Sequence, residues 1–278
     1  MPEGDTAWRT ARNLDRALTG RRLLATDFRV PSIATVDLSG ELVEGTVARG
    51  KHLLTRIGAD HTLHTHLKME GSWHLYKPGT RWRRPAHDAR VVLRTEDWTA
   101  VGFALGVTEV LARDAEDTVV GHLGPDLLGP DWDADEALAR LLRSPEVPVG
   151  EALLDQRNLA GIGNLYKCES LFLLGIHPEL PVCEVHVLPE VVDKAQRLLV
   201  MNRERAEQTT TGNARRGQRH WVYGRAGQPC RRCGTPIESE TLATLRDQAR
   251  ASGEVSSVDN PSQARVTYWC PTSQPAPS

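Results

Sequence analysis

Between residues 22 and 111 the apolar positions come in short runs with a period of two, and outside that region they recur at helical spacing. His52-Leu53-Leu54-Thr55-Arg56-Ile57, Thr62-Leu63-His64-Thr65-His66-Leu67 and Arg90-Val91-Val92-Leu93-Arg94 are such runs, set apart by Gly, Asp and Pro. Strands this closely spaced predict a β-sandwich or flattened barrel. Ahead of them Ala7, Trp8, Ala11, Leu14, Ala17 and Leu18 share one helix face, with Asp5 as the expected N-cap and Gly20 as terminator. The strand pattern stops at Gly124-Pro125-Asp126 and Gly129-Pro130-Asp131, two punctuators that read as a linker or hinge. Helical spacing follows over 134–142, 149–156, 164–174 and 188–205, with Pro189 suited to a first turn that needs no N–H. After Trp221 the chain reads as turns and short strands around cysteines, with a polar insertion at 249–263. The chain is therefore expected to be α+β. Residues 1–120 form an N-terminal β-sandwich with a leading helix, 121–132 a linker, 133–221 a helical domain and 222–278 a cysteine-bearing β-hairpin.

At 278 residues the chain can hold two cores. Its 34 basic and 36 acidic side chains nearly cancel, so no global field draws nucleic acid and any anionic partner must be met locally. Arg81-Trp82-Arg83-Arg84 and Arg215-Arg216-Gly217-Gln218-Arg219-His220-Trp221 are two such local clusters, and each could equally be a solvated loop. Five cysteines, of which only Cys230 and Cys233 are closely spaced, argue against a disulfide framework and for a reducing compartment. Cys168 and Cys183 read as ordinary buried or incidental thiols. Glu3, Asp5 and Arg9 rule out a signal-peptide core, and no stretch approaches the roughly 18 apolar residues of a membrane span. A soluble, cytoplasmic monomer with no membrane partner is expected.

Met1-Pro2-Glu3-Gly4-Asp5 carries the most distinctive chemistry. With Met1 removed, Pro2 presents a secondary amine, and α-amino groups titrate at about 7.7–8.0 against roughly 10.4 for lysine. Such an amine adds to an aldehyde-like carbon to give an iminium, an electron sink that acidifies the neighbouring C–H. Glu3 alongside could move the protons. His61, His64 and His66 invite a metal reading, since His64 and His66 would share a strand face. No carboxylate sits at a matching position nearby, and the alternative is partly buried or surface-facing strand histidines.

Four stretches then line up in order: Met1-Pro2-Glu3-Gly4; Arg49-Gly50-Lys51-His52-Leu53-Leu54; Leu154-Asp155-Gln156 through Gly161-Ile162-Gly163-Asn164-Leu165-Tyr166 to Gly175-Ile176-His177-Pro178; and Cys230-x-x-Cys233 with Tyr268-Trp269-Cys270-Pro271. Across essentially the whole chain this resembles the formamidopyrimidine-DNA glycosylase and endonuclease VIII family of base-excision repair enzymes. The resemblance implies an N-terminal β-sandwich, a helix-two-turn-helix domain and a zinc-finger-like β-hairpin, with damaged DNA, double- or single-stranded, gripped between the domains. It implies Pro2 as nucleophile, Glu3 as proton carrier and Lys51 in an acid/base and charge-stabilising role. Asn164 would bind phosphate at a helix start, and Arg265 would reach into the groove from the hairpin. No redox or nucleotide cofactor is called for, because the iminium is itself the electron sink.

The chain departs from the family pattern in three places. Two CxxC pairs would supply four zinc thiolates, but the second reads Cys270-Pro271-Thr272-Ser273, leaving Cys230, Cys233 and Cys270 with a serine at the fourth position. A serine hydroxyl is a poor zinc ligand. The alternatives are an impaired zinc site at Ser273, completion by His220, Glu238 or Asp259, or no zinc. Only about ten residues separate Thr211 from Val222-Tyr223-Gly224-Arg225, too few for the capping loop of the oxidised-purine enzymes. The Arg-Phe wedge is also missing between Trp98 and Leu105, leaving Lys68 and Met69 as the candidates to fill the hole of a flipped nucleotide. The last two departures point to the oxidised-pyrimidine branch, with a base-excising lyase cutting by β,δ-elimination as the first expectation. A non-enzymatic damage binder and a lyase acting mainly on abasic sites remain the alternatives.

Overall fold

The computed structural model describes residues 2–241 and 266–277. The chain divides into two compact units, Met1–Leu123 and Gly124–Ser278. Among the described residues no helix is long and apolar enough to cross a membrane.

The first unit opens with helix α1 (Gly4–Leu18). Eight strands follow: β1 (Ala25–Phe28), β2 (Val43–Arg49), β3 (His52–Ile57), β4 (His61–His66), β5 (Ser72–Tyr76), β6 (Ala89–Arg94), β7 (Thr99–Phe103) and β8 (Val107–Ala112). They form two four-stranded antiparallel sheets, ordered β1-β6-β7-β5 and β2-β3-β4-β8. Leu53, Ile57 and Leu63 join Ala7, Ala11, Leu14 and Leu18 in one core. Because strand side chains alternate, the even-numbered His52, His64 and His66 face away from that core. The N-cap of α1 is Glu3, in extended conformation with its carbonyl accepting from Ala7 N–H, and Asp5 lies inside the first turn. A carboxylate is favourable at either place, since the helix dipole and its free N–H groups attract it equally.

Two bonds fix how α1 lies along β2. Gly20 N–H donates to Val43 O (2.8 Å), and Asp15 Oδ1 accepts from Thr46 N–H (3.0 Å). The helix therefore runs antiparallel to β2, its head pointing to the strand's far end. There Gly50 and Lys51 form a two-residue hairpin between the paired Arg49 and His52. Gly50, at φ +59°, takes the position where such a turn demands positive φ.

A short helix α2 (Asp117–Val120) closes this unit. The second unit holds α3 (Ala134–Leu141), α4 (Val149–Ala152), α5 (Asn164–Leu174) and α6 (Leu188–Asn202), then the antiparallel hairpin β9 (Glu238–Thr241) and β10 (Val266–Trp269). Two helices are shorter than their apolar spacing predicts. After α4 the Gln156 amide donates to Leu154 O and Ile162 O and accepts from Gly161 N–H, holding 154–162 as a loop. The buried Asn202 amide likewise ends α6 by pairing with Leu198 O and both backbone groups of Thr209. The insertion at 249–263 lies outside the described residues.

Because Asp15 accepts from Thr46 N–H and also from Thr19 Oγ1 (2.6 Å), Asp15→Ala should cost about 1–2 kcal/mol in urea unfolding. An unchanged midpoint would show that this tether contributes nothing to the docking of α1.

Candidate functional site

The geometry of α1 and β2 carries Glu3 and Lys51 toward one end of the first unit. From Asp15 back to Glu3 is twelve helical residues, about 18 Å at ~1.5 Å each. From Thr46 to Lys51 is five strand residues, about 16 Å at ~3.3 Å each. Glu3 is 1% exposed, and Pro2 and Lys51 are half-buried. A carboxyl group, the residue after Met1 and a lysine thus lie toward the same end of the first unit.

The outward face of β3 and β4 beside this end is lined with imidazoles. His52 Nδ1 lies 2.8 Å from His64 Nε2, and His64 Nδ1 lies 2.7 Å from Glu109 Oε1 on β8. The rings of His66 and His122 stand edge-on to His52 at 5.0 and 6.4 Å. Burial, then His64, His122, Lys68 and Lys51, hold His52 down at about 3. Burial, then His52 and the same two lysines, do the same to His66, also to about 3. Both are therefore neutral at physiological pH. His66 Nδ1 accepts from Lys68 N–H (2.9 Å), which leaves its Nε2 as the N–H. Among the described residues these histidines do not form a metal cluster. The carboxylate at a matching position comes from β8: Glu109 pairs directly across from His64.

The turn after β4 presents Lys68 and Met69. Lys68 sits at φ +51°, a conformation that side chains adopt rarely and that clusters at functional sites. Gly71 closes the turn with its N–H on Leu67 O (2.9 Å), where an added Cβ would lie 2.4 Å from that same oxygen. Met69 is 66% exposed at the tip.

In the second unit Asn164 is buried at the start of α5, and its amide donates to Val266 O on β10 (2.7 Å). It ties the hairpin to the helix at the residue after Arg265, which itself lies outside the described residues. Lys167 Nζ donates to Thr267 Oγ1 (2.7 Å), and Cys168 Sγ accepts from Tyr268 N–H (3.4 Å). Buried Glu169 accepts from the N–H groups of Trp221, Val222 and Tyr223, each at 2.8 Å, and from the Thr210 hydroxyl. Sequence periodicity marked none of Lys167, Glu169 or Glu109. A charged residue inside an apolar helix is the one local signal that could have singled out the first two.

The thiols of Cys230, Cys233 and Cys270 lie within 4.8 Å of one another. Cys233 and Cys270 Sγ are 3.4 Å apart, and Ser273 Oγ is 3.5 Å from Cys233 Sγ and 3.9 Å from Cys230 Sγ. Bonds with the Ser273 and Thr235 hydroxyls lower Cys233 to about 6, so its thiolate is readily formed. Tetrahedral zinc, with Zn–S about 2.3 Å, needs sulfurs about 3.8 Å apart. The three sulfurs fit such an ion, with Ser273 at the fourth corner. His220 and Glu238 do not join the cluster, and Asp259 lies outside the described residues.

Residues 1–104 match the formamidopyrimidine-DNA glycosylase N-terminal domain and residues 123–199 the formamidopyrimidine-DNA glycosylase H2TH domain. The chain is 51% identical over 284 residues to a probable endonuclease 8 2 of Streptomyces coelicolor, covering 100% of this chain and 95% of that protein. It is 45% identical to the DNA-(apurinic or apyrimidinic site) lyase Nei2 of Mycolicibacterium smegmatis, covering 99% of this chain and 100% of that one. The fold matches that of a MutM solved in complex with carbocyclic 8-oxo-G containing DNA, at TM-score 0.77 and 22% identity over 99% of this chain and 100% of that one.

Glu169→Ala strands three backbone N–H donors, one buried and two partly buried, and hydrogen bonds to charged groups contribute about 1.5–3 kcal/mol each. The variant should lose on the order of 3 kcal/mol or more by denaturant unfolding. A loss under about 1 kcal/mol would mean that water replaces the carboxylate at no penalty.

Proposed function

The chain belongs to the formamidopyrimidine-DNA glycosylase and endonuclease 8 family, and on that premise we propose that it is a bifunctional DNA glycosylase and abasic-site lyase of base-excision repair. The observation that carries the proposal is the full-length match to endonuclease 8 relatives together with Pro2-Glu3 at the head of α1, toward the Lys51 turn. Its substrate is damaged DNA, and such a protein acts in the cytoplasm, as a monomer.

In this reading Met1 is removed and the Pro2 amine attacks C1′ of the flipped nucleotide. The glycosidic bond breaks and the base leaves with its electron pair; the C1′–O4′ bond then opens, O4′ keeping that pair and taking a proton, and the C1′–nitrogen adduct becomes an iminium. Loss of a C2′ proton then lets the 3′ phosphate depart, and loss of a C4′ proton lets the 5′ phosphate depart. Glu3, buried and next to Pro2 in the chain, carries protons at the sugar. Lys51 supplies positive charge beside the developing anions. Exposed Met69, on the strained Lys68 turn, fills the gap left by the flipped base. The head of α5 binds a phosphate, with Asn164 bracing the strand that carries Arg265 to the groove. The shortness of the segment between Thr211 and Val222 supports oxidised pyrimidines as the excised bases. A lyase acting mainly on abasic sites is the second reading, favoured by the name of the Mycolicibacterium smegmatis relative.

Cys230, Cys233 and Cys270 would hold a structural zinc ion with Ser273 or a water at the fourth corner. Zinc there would cross-link the 230–233 turn to the end of β10.

Borohydride should trap a covalent adduct with DNA containing an abasic site, and Pro2→Gly or an N-terminal extension should abolish it. Trapping that survives both changes would move the nucleophile to another amine. Intact mass showing Met1 retained in an active preparation would have the same effect.

Ser273→Cys should tighten zinc at least 10-fold in a chelator competition, because a thiolate replaces a hydroxyl that does not readily ionise. Equal affinities would show that Ser273 does not face the ion.

A further inference from the structure

The line of polar atoms from Glu109 to His52 has no part in the chemistry described so far. His64, at its centre, is 2% exposed and touches a partner through each ring nitrogen. A carboxylate only accepts, so His64 Nδ1 carries a hydrogen and donates to Glu109 Oε1. With His64 in its uncharged form, its Nε2 is a lone pair and His52 Nδ1 donates to it. His52 Nε2 is then an unprotonated acceptor, with no hydrogen bond from any described residue. It belongs to the residue next to Lys51, at the end of the unit toward which the head of α1 runs.

We propose that Glu109, His64 and His52 form a proton relay, and that His52 Nε2 is a catalytic base that accepts the C2′ proton during β-elimination. The proposal rests on the lyase reading above. The C2′–H bond breaks and its pair becomes the C1′–C2′ double bond, while the iminium π pair returns to the Pro2 nitrogen. The enamine so formed expels the 3′ phosphate, which leaves with the C3′–O pair.

The relay explains how a histidine in this position can act as a base. Burial and the nearby Lys51, Lys68, His66 and His122 oppose a positive charge on His52. Alone it would be a poor acceptor. As the proton arrives on Nε2, the Nδ1 hydrogen passes to His64 Nε2. His64 then carries the positive charge against the Glu109 carboxylate, whose Oε1 lies 2.7 Å from its Nδ1, and His52 stays uncharged. After the phosphate has left, the hydrogen returns to His52 Nδ1 and Nε2 gives its own to water. His64 and Glu109 are positioning residues, setting the tautomer of His52 and taking the charge from it.

The test is single-turnover cleavage of a duplex carrying one abasic site, with borohydride trapping and DNA-binding anisotropy measured on the same preparations. His52→Ala should cleave about 10²-fold more slowly, bind DNA equally, form a trappable adduct and recover rate with added imidazole. Glu109→Gln, which keeps the acceptor but loses the charge, should slow cleavage roughly 10-fold with binding unchanged. Cleavage by His52→Ala at the wild-type rate overturns the proposal, as does a slowed variant that imidazole does not restore. Loss of the adduct in His52→Ala also overturns it, because His52 would then act before elimination. A wild-type protein that forms no adduct fails at the lyase reading itself, and the relay falls with it.

Discussion

The first unit depends on the longitudinal register between α1 and β2. A helix advances about 1.5 Å per residue and a strand about 3.3 Å, so the twelve residues back to Glu3 and the five forward to Lys51 cover nearly the same distance. Asp15 on Thr46 N–H and Gly20 on Val43 O set where the two elements start to be compared. A slip by one helical turn would move Glu3 about 5 Å along the sheet. The apolar face of α1 gives it adhesion to the core but no such register, since apolar contact is not directional. Hydrogen bonds supply the direction.

The second unit uses a different device. Helix α5 buries Asn164, Lys167, Glu169 and Ser170 among apolar neighbours, a composition that is unfavourable unless the polar groups find partners. Three of them do so outside the helix. Asn164 and Lys167 hold β10, and Glu169 gathers the backbone of 221–223 just ahead of Cys230. The helix thus organises both sides of the cysteine cluster through polar bonds. The cluster's three sulfurs and one hydroxyl then meet at distances near those of a tetrahedral ion site.

The imidazole face of β3 and β4 shows how the same sheet handles charge. Lys51 and Lys68 oppose protonation of His52 and His66, and burial acts in the same direction. Neutral imidazoles can be either donors or acceptors, and their neighbours decide which. Glu109 through His64 makes His52 an acceptor, while the Lys68 N–H makes His66 a donor. Two adjacent rings of the same residue type therefore present opposite faces to whatever approaches them.

Much of this was readable along the chain. Period-two runs located β3, β4 and β6 to within a residue, and Asn164–Leu174 was legible as a helix from its apolar spacing and the Gly175 after it. The four motif stretches pointed to the family, and the cysteine triad with Ser273 followed from that resemblance. Helix ends were less legible, because Gln156 and Asn202 stop the backbone with side-chain bonds that periodicity does not express. The roles of Glu109 and Glu169 were hidden for a related reason. Glu109 reaches His64 across a gap of 45 residues, and Glu169 reaches Val222 across 53. Local pattern encodes which way a side chain points within its own element. Which distant group it meets depends on strand register and helix docking, and those are settled when the elements come together.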